Sequence, residues 1–156
     1  MPFDYLPVFA EKAAGKPPRK LVRPSQSACH DAVPPLASAR IALLTSAALR
    51  TPEQPPFVPP EDTSYRSIPA EPYSTDLVMD HRSPLGAGPR EDPEIVFPRT
   101  ALIALARRGL IGSYASAHFS FAGGTRNHYG VEKELAPALA VELKKENVDL
   151  ALLVPF

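Results

Sequence analysis

Proline distribution is the strongest constraint on how this chain can fold. The sequence holds 20 prolines in 156 residues, concentrated before Pro98, about two and a half times the ordinary ~5% usage. Each proline removes a backbone donor and fixes φ, so long helices and central strands are excluded wherever prolines cluster. Residues 1–38, which carry Pro2, Pro7, Pro17, Pro18, Pro24, Pro34 and Pro35, therefore read as a proline-rich extension that wraps over a surface. Its aromatic start, Phe3, Tyr5 and Phe9, either packs into a groove of the domain or docks on a neighbouring subunit. Residues 39–156 read as a single folded domain, since 156 residues with 44% apolar content suffice for one core.

Within that domain the regular elements follow from pattern. Ala39 to Thr45 is a short, continuously apolar run of the kind a buried parallel strand needs, and Leu77–Met79 is a second short strand leading to Asp80 and His81. Pro98 to Arg108 is rich in helix formers, with proline suited to the first turn, arginines in the last turn and Gly109 as a stop. Leu102, Leu105 and Ala106 share its apolar face, with Ile103 and Leu110 close by. Ile111 to Phe121 contains a strand that delivers His118 to an edge. Val131 to Asn147 is helical, with a kink or fresh start at Pro137. Val148 to Val154 is a second apolar run suited to the centre of a parallel sheet. Strands alternating with helices imply an α/β fold with an open, mostly parallel, three-layer sheet of the flavodoxin or Rossmann kind, its crossovers right-handed.

Charge and cysteine content narrow the function. Basic and acidic residues number 17 each, which points to no nucleic-acid or membrane partner. No apolar run approaches the ~20 residues of a membrane span, and the amino terminus lacks the order of a secretory signal, so a cytoplasmic location is expected. One cysteine, Cys29, precludes an internal disulfide or a CxxC site within these residues, and its proline-flanked setting beside His30 reads as incidental.

Ligands of open α/β sheets bind beyond the carboxyl ends of the strands, which selects Thr45–Ser46, Asp80–His81, His118 and the residues after Val154. His81 and His118 are either acid/base groups, since histidine titrates near ~6.5, or structural hydrogen-bonding residues. Asp62, Tyr65 and Arg66 fall within five positions of a loop. Arg66 either grips a substrate carboxylate, with Asp62 orienting it, or forms an internal salt bridge that ties the proline-rich loop down. His81, His118 and His128 lack the spacing of a metal site. Phe121 to Asn127, with Gly123–Gly124, either cradles an anion on its amides or simply connects strand to helix.

As an ordered series, Asp62-x-Ser-Tyr-Arg-x-Ile-Pro69, His81 after a short strand, Glu91-Asp-Pro-Glu-Ile-Val-Phe-Pro98, Gly109-Leu-Ile-Gly112, Phe119 to Gly124, and Glu142-Leu-Lys-Lys-Glu-Asn-Val-Asp149 leading into Leu150–Val154 resemble the B subunits of glycine, sarcosine, betaine and D-proline reductases. The resemblance covers residues 39–156. It implies reductive C–N cleavage of an amino acid or betaine, inside a hetero-oligomer of reductase subunits, on a small amino-acid substrate carried by a pyruvoyl-bearing partner. It places Arg66, Asp62 and Tyr65 on the substrate side, with His81 and His118 nearby. In that family a selenocysteine, or a cysteine in its place, directly follows the strand matching Val148–Val154. The expectation is therefore that the nucleophile lies downstream of Phe156, past an in-frame UGA read as a stop. The alternative is a binding or regulatory subunit that keeps the fold without the redox centre.

Overall fold

The computed structural model describes residues 34–71 and 77–156. The proline-rich extension up to residue 33, including Cys29, His30 and the aromatic start, lies outside the described residues. The chain divides into two units, residues 1–31 and 32–156, and the second carries everything that follows.

At its centre is β1 (Arg40–Thr45), buried from Ile41 to Thr45. Both of its faces are apolar because both are covered, which is why its sequence runs continuously hydrophobic instead of alternating. Ile41 and Leu43 point into one core and Ala42 and Leu44 into the other. β7 (Leu150–Val154) runs parallel along one side of β1, from Ile41 opposite Leu150 to Thr45 opposite Val154. The other side is shared by β5 (Ser113–Tyr114) at the amino end and β6 (Ala117–Phe121) at the carboxyl end, both parallel to β1. β3 (Tyr65–Pro69) completes the sheet by pairing antiparallel with β6. Two more short strands, β2 (Leu49–Arg50) and β4 (Val78–Met79), form a separate antiparallel ribbon.

Helices cover the two faces. α1 (Ala87–Glu91) is a short turn, and α2 (Arg99–Arg107) buries Ile103 and places Leu102 in the core that contains Leu43 and Phe97. α3 (Ala136–Lys145) is led in by a helical turn at His128–Gly130 and a π-helical turn at Val131–Leu135. Leu135 and Leu139 enter the core on the opposite face. The connection from β1 to β6 and that from β6 to β7 cross the sheet in opposite directions with helices on opposite faces. A constant crossover handedness requires that arrangement, and the three-layer α/β expectation holds.

Several local expectations change. Pro98 sits at the N-cap position of α2 rather than inside its first turn, and Gly109 ends the helix with φ +67°. Leu105 and Leu110 face outward, so the buried stripe of α2 is narrower than its composition suggests. Pro137 cannot donate to the carbonyl four residues back, and the helical path widens into the π turn just before it. The segment Tyr65–Pro69 is a strand, not a loop. Its alternating burial is that of an edge strand packed on one face, and Pro69 stands at its end where no ladder bond is needed.

The strand expected between Ile111 and Phe121 is broken by a bulge. Between the pairs Ile41–Tyr114 and Leu44–Phe119, β1 passes two residues while its neighbour passes four. The Leu43 amide faces this gap and donates instead to Nδ1 of His118, at 3.3 Å. Glu146 closes the bulge from outside by accepting from the Ser116 amide (3.0 Å) and hydroxyl (2.5 Å), and it pairs with Arg40 at 2.9 Å.

The other correction concerns β7. It is an edge strand among the described residues, with β1 as its one neighbour, and Leu152 and Leu153 are 47% and 64% exposed. Leu153 also lines an apolar groove of about 330 Å³ that runs between β7 and α3 past Leu139 and Ala140. The run is hydrophobic like β1, yet it is covered on one side only.

These differences give two predictions. Leu43→Ala is expected to cost about 3–4 kcal/mol in denaturant unfolding, by cavity formation in a filled core, whereas Leu152→Ala changes stability by under about 0.5 kcal/mol. Equal losses would contradict the burial assigned to the two strands. For Glu146, the hydrogen bonds from Ser116 and the Arg40 contact hold its carboxyl at about 2, below the ordinary 4.5. Its contribution is thus full above pH 4.5 and fades as pH falls toward 2. Glu146→Gln should lower stability at pH 7 and shrink the additional loss between pH 4.5 and 2, as read by denaturant melts across that range.

Candidate functional site

The chain leaving β1 turns toward the α2 face, and the chain leaving β6 turns toward the α3 face. The carboxyl ends of these adjacent strands therefore open a crevice at the point where the winding changes direction, the usual ligand position in such sheets. Its floor is tight. The Gly123 amide donates to the Ser46 carbonyl at 2.8 Å, and a Cβ at residue 123 would stand 2.8 Å from that same oxygen. β7 arrives at the same place, where Ser46 Oγ accepts from the Phe156 amide (2.9 Å) and donates to its carbonyl (3.3 Å).

The opposite wall comes from the segment after β4. Pro59, His81, Arg82, Ser83, Gly123 and Gly124 line a crevice of about 350 Å³. The His81 ring meets the Phe156 ring edge-on at 5.1 Å, and its Nδ1 accepts the Ser83 amide at 3.1 Å, which leaves the ring proton on Nε2. Burial, and then the charge of Arg90, lower the pKa of His81 below 6.5, so it is a neutral donor at pH 7. Ser83 Oγ accepts from the Leu85 amide at 3.1 Å, leaving its own proton to donate. Arg82 is exposed and forms no ion pair with the described residues. Asp80, just before it, is occupied by Arg50 Nε (2.9 Å) and the Phe57 amide (2.8 Å).

His118 takes no part in this crevice. It is second in β6, near the strand's amino end, and fully buried. Burial, and then the Arg99 charge, lower its pKa to about 4, although a hydrogen bond to the Ala117 backbone and the Glu146 charge pull the other way. It is a neutral plug for the bulge, packed edge-on against Phe97 at 6.0 Å. Its Nε2 and the Nε of buried Arg99 have no hydrogen-bond partner among the described residues, although Glu94 Oε1 lies 3.9 Å from the Arg99 Nε.

Arg66 is likewise inside the fold, 8% exposed. Its Nε donates to Pro55 O (2.9 Å), Nη2 to Pro56 O (3.2 Å), and Nη1 to Tyr65 O (3.0 Å) and Ser64 Oγ (2.8 Å), with the guanidinium 4.1 Å from the centre of the Phe57 ring. The Ser64 hydroxyl donates onward to Asp62 Oδ1. Burial raises the pKa of Asp62, but hydrogen bonds from Ser64 and Val58 and the Arg66 charge outweigh it, and the carboxyl stays below 3.8. The relay fastens the proline-rich loop 55–64 to β3 without a direct ion pair. Tyr65 packs edge-on against Phe119 at 5.7 Å. Of the residues singled out in the sequence, His81, Ser46 and Gly123–Gly124 meet at the strand ends, while Arg66, Asp62, Tyr65 and His118 serve the scaffold. Among the described residues no group of three or more His, Cys, Asp or Glu side chains converges as a metal ion would require.

Arg82 and Ser83 were not legible as site residues. Carrying the strand-end rule two positions past His81 is the signal that finds them.

Comparison with known proteins bears out the coarser part of the resemblance, a relation to a reductase subunit. The chain is similar to a reductase subunit. It is 29% identical over 113 residues to D-proline reductase subunit gamma of Acetoanaerobium sticklandii, a stretch covering 72% of this chain and 47% of the relative. The chain thus spans about half the length of the curated relative it matches. No protein-family model matches it, and no solved structure does. No helix among the described residues is long and apolar enough to cross a membrane.

The clamp reading of Arg66 is testable. Arg66→Met should lower stability by about 2 kcal/mol, since it deprives the Pro55, Pro56 and Tyr65 carbonyls of their guanidinium donors and removes the Phe57 contact, and should speed proteolysis within residues 52–64. Ligand binding in the crevice should survive the substitution under folding conditions; its loss there would return Arg66 to the substrate side.

Proposed function

We propose that this chain is the amino-terminal part of a redox subunit of an amino-acid reductase that cleaves a C–N bond reductively, with glycine, sarcosine, betaine or D-proline as the class of substrate. The observation that carries the reading is the meeting of strand ends. Ser46 after β1, Gly123 after β6 and Phe156 after β7 are joined by hydrogen bonds, and the Phe156 ring meets that of His81 edge-on. In the resembled family the nucleophile directly follows the strand matching β7, so it would emerge beside His81 and Arg82. The similarity to a D-proline reductase subunit supports the same reading.

A selenolate or thiolate there would supply the nucleophile for displacement at the substrate α-carbon, and an external dithiol the two electrons of the overall cleavage. A pyruvoyl group on a partner subunit would hold the nitrogen of a primary- or secondary-amine substrate such as glycine, sarcosine or D-proline. The quaternary nitrogen of betaine needs no such carrier and leaves as the free amine. The residues present fit such a neighbour. Nε2–H of His81 and the guanidinium of Arg82 favour an anionic nucleophile, and the ring of Phe156 excludes water from one side. Ser46 fixes the exit direction of the chain by holding both backbone groups of Phe156. The open edge of β7 and the groove beside α3 suit a hetero-oligomeric subunit with further polypeptide packed on that side.

A binding or regulatory subunit is the second reading, favoured by one observation: no described residue lining the crevice carries a thiol. Purification from native cells separates the two. The reductase reading expects a product of greater mass than the 156-residue chain, carrying selenium or additional cysteine, that co-purifies with partner subunits and releases amine, or opens the D-proline ring, only when dithiol is supplied. A product of the 156-residue mass whose complexes show no dithiol-dependent cleavage sinks it in favour of the regulatory role.

A further inference from the structure

We propose that His81, Arg82 and Ser83 form the anchor for a small carboxylate in the crevice at the ends of β1 and β6, with Arg82 as the residue that grips it. The anchor rests on the reductase reading for the identity of its ligand, an amino-acid carboxylate, and on the geometry alone for the chemistry. Three consecutive residues each bring a donor that the fold leaves in reserve. His81 has its Nδ1 occupied by the Ser83 amide and so offers Nε2–H. Ser83 uses its oxygen to accept from Leu85 and so offers its hydroxyl proton. Arg82 offers a whole guanidinium fork.

The surroundings select for negative charge. None of the six lining residues is acidic, and the nearest carboxylate in sequence, Asp80, is neutralised by Arg50 at 2.9 Å. Arg90 adds a second cation behind the wall, its Nη2 on the His81 carbonyl at 2.5 Å. The fold invests in presenting this segment, because Asp80 is bonded to the β2 side through both its side chain and its amide, the latter on the Ala48 carbonyl at 3.0 Å. The three donors that follow are thereby carried on a fixed base.

The ligand is a carboxylate rather than a phosphate for two reasons. A single planar guanidinium matches the two oxygens of a carboxylate bidentately. Phosphate sites, in contrast, are built chiefly from several free backbone amides, and here the amide of Gly123 is already used by Ser46. The role that the sequence suggested for Arg66 thus falls to an arginine sixteen residues later whose donors are unengaged by the described residues.

Calorimetry and amide-resolved NMR on the 156-residue chain provide the test, with D-proline, glycine and betaine as probes and D-prolinamide and inorganic phosphate as controls. The expected result is carboxylate binding with shifts at residues 81–83 and 123–124, at least tenfold weaker for D-prolinamide and for Arg82→Gln, partly retained in Arg82→Lys, and unchanged in Arg108→Gln. Equal affinity for acid and amide, tighter binding of phosphate, or indifference to Arg82→Gln in a folded protein would each overturn the proposal. Binding needs no redox chemistry, so carboxylate recognition without dithiol-dependent cleavage by the native complex would leave the anchor standing and remove the reductase reading.

Discussion

Everything in this fold hangs on the covering of β1. A six-residue strand with apolar side chains on both faces is stable only if both faces and both edges are occupied, since unpaired backbone groups and exposed leucines are each costly. β7 covers one edge in unbroken register; β5 and β6 cover the other. The helices α2 and α3 close the two faces. The positions of His118, Glu146, Ser46 and Gly123 then follow as solutions to problems that this central strand poses.

The bulge opposite Leu43 shows how such a solution is built. Two extra residues between β5 and β6 leave the Leu43 amide without a backbone acceptor. An imidazole nitrogen substitutes for the missing carbonyl, while Glu146 gathers the displaced Ser116 from outside and Arg40 neutralises it. A bulge shifts everything beyond it along the strand, so it sets where Ser120 and Ala122 arrive beside Thr45 and Ala47. Ser120 Oγ accordingly accepts the Leu49 amide at 2.7 Å, and Gly123 comes within reach of Ser46. Fold repair at one end of β6 and crevice geometry at the other are parts of one register.

The contrast between the two arginines follows the same logic. Arg66 lies on the inward side of β3, under a loop of prolines that supplies carbonyls but few amide donors, so a guanidinium there is consumed by the backbone. Arg82 follows β4, beyond the ribbon that Arg50 and Asp80 lock, and faces an open crevice. Identical chemistry thus becomes structural at one site and available at the other, decided by which groups crowd around it.

The sequence by itself determined the fold class and the type of the strongly patterned elements. Apolar runs of strand length, the helix pattern ending at Gly109, and proline exclusion are local properties read through backbone sterics and side-chain periodicity. The strand-end rule also reached His81 and Ser46, though it selected buried His118 as well, and the Gly123–Gly124 turn stood out by its glycine pair. Tertiary structure alone decided that β7 is an edge while β1 is central, since both runs are equally hydrophobic and only pairing separates them. It likewise decided that Tyr65–Pro69 is a strand, because its partner β6 lies some fifty residues away, and that His118 is buried by a bulge no residue pattern announces. Hydrogen-bond partners and strand neighbours are non-local quantities, and whether a polar side chain is free to act depends on them rather than on its own identity.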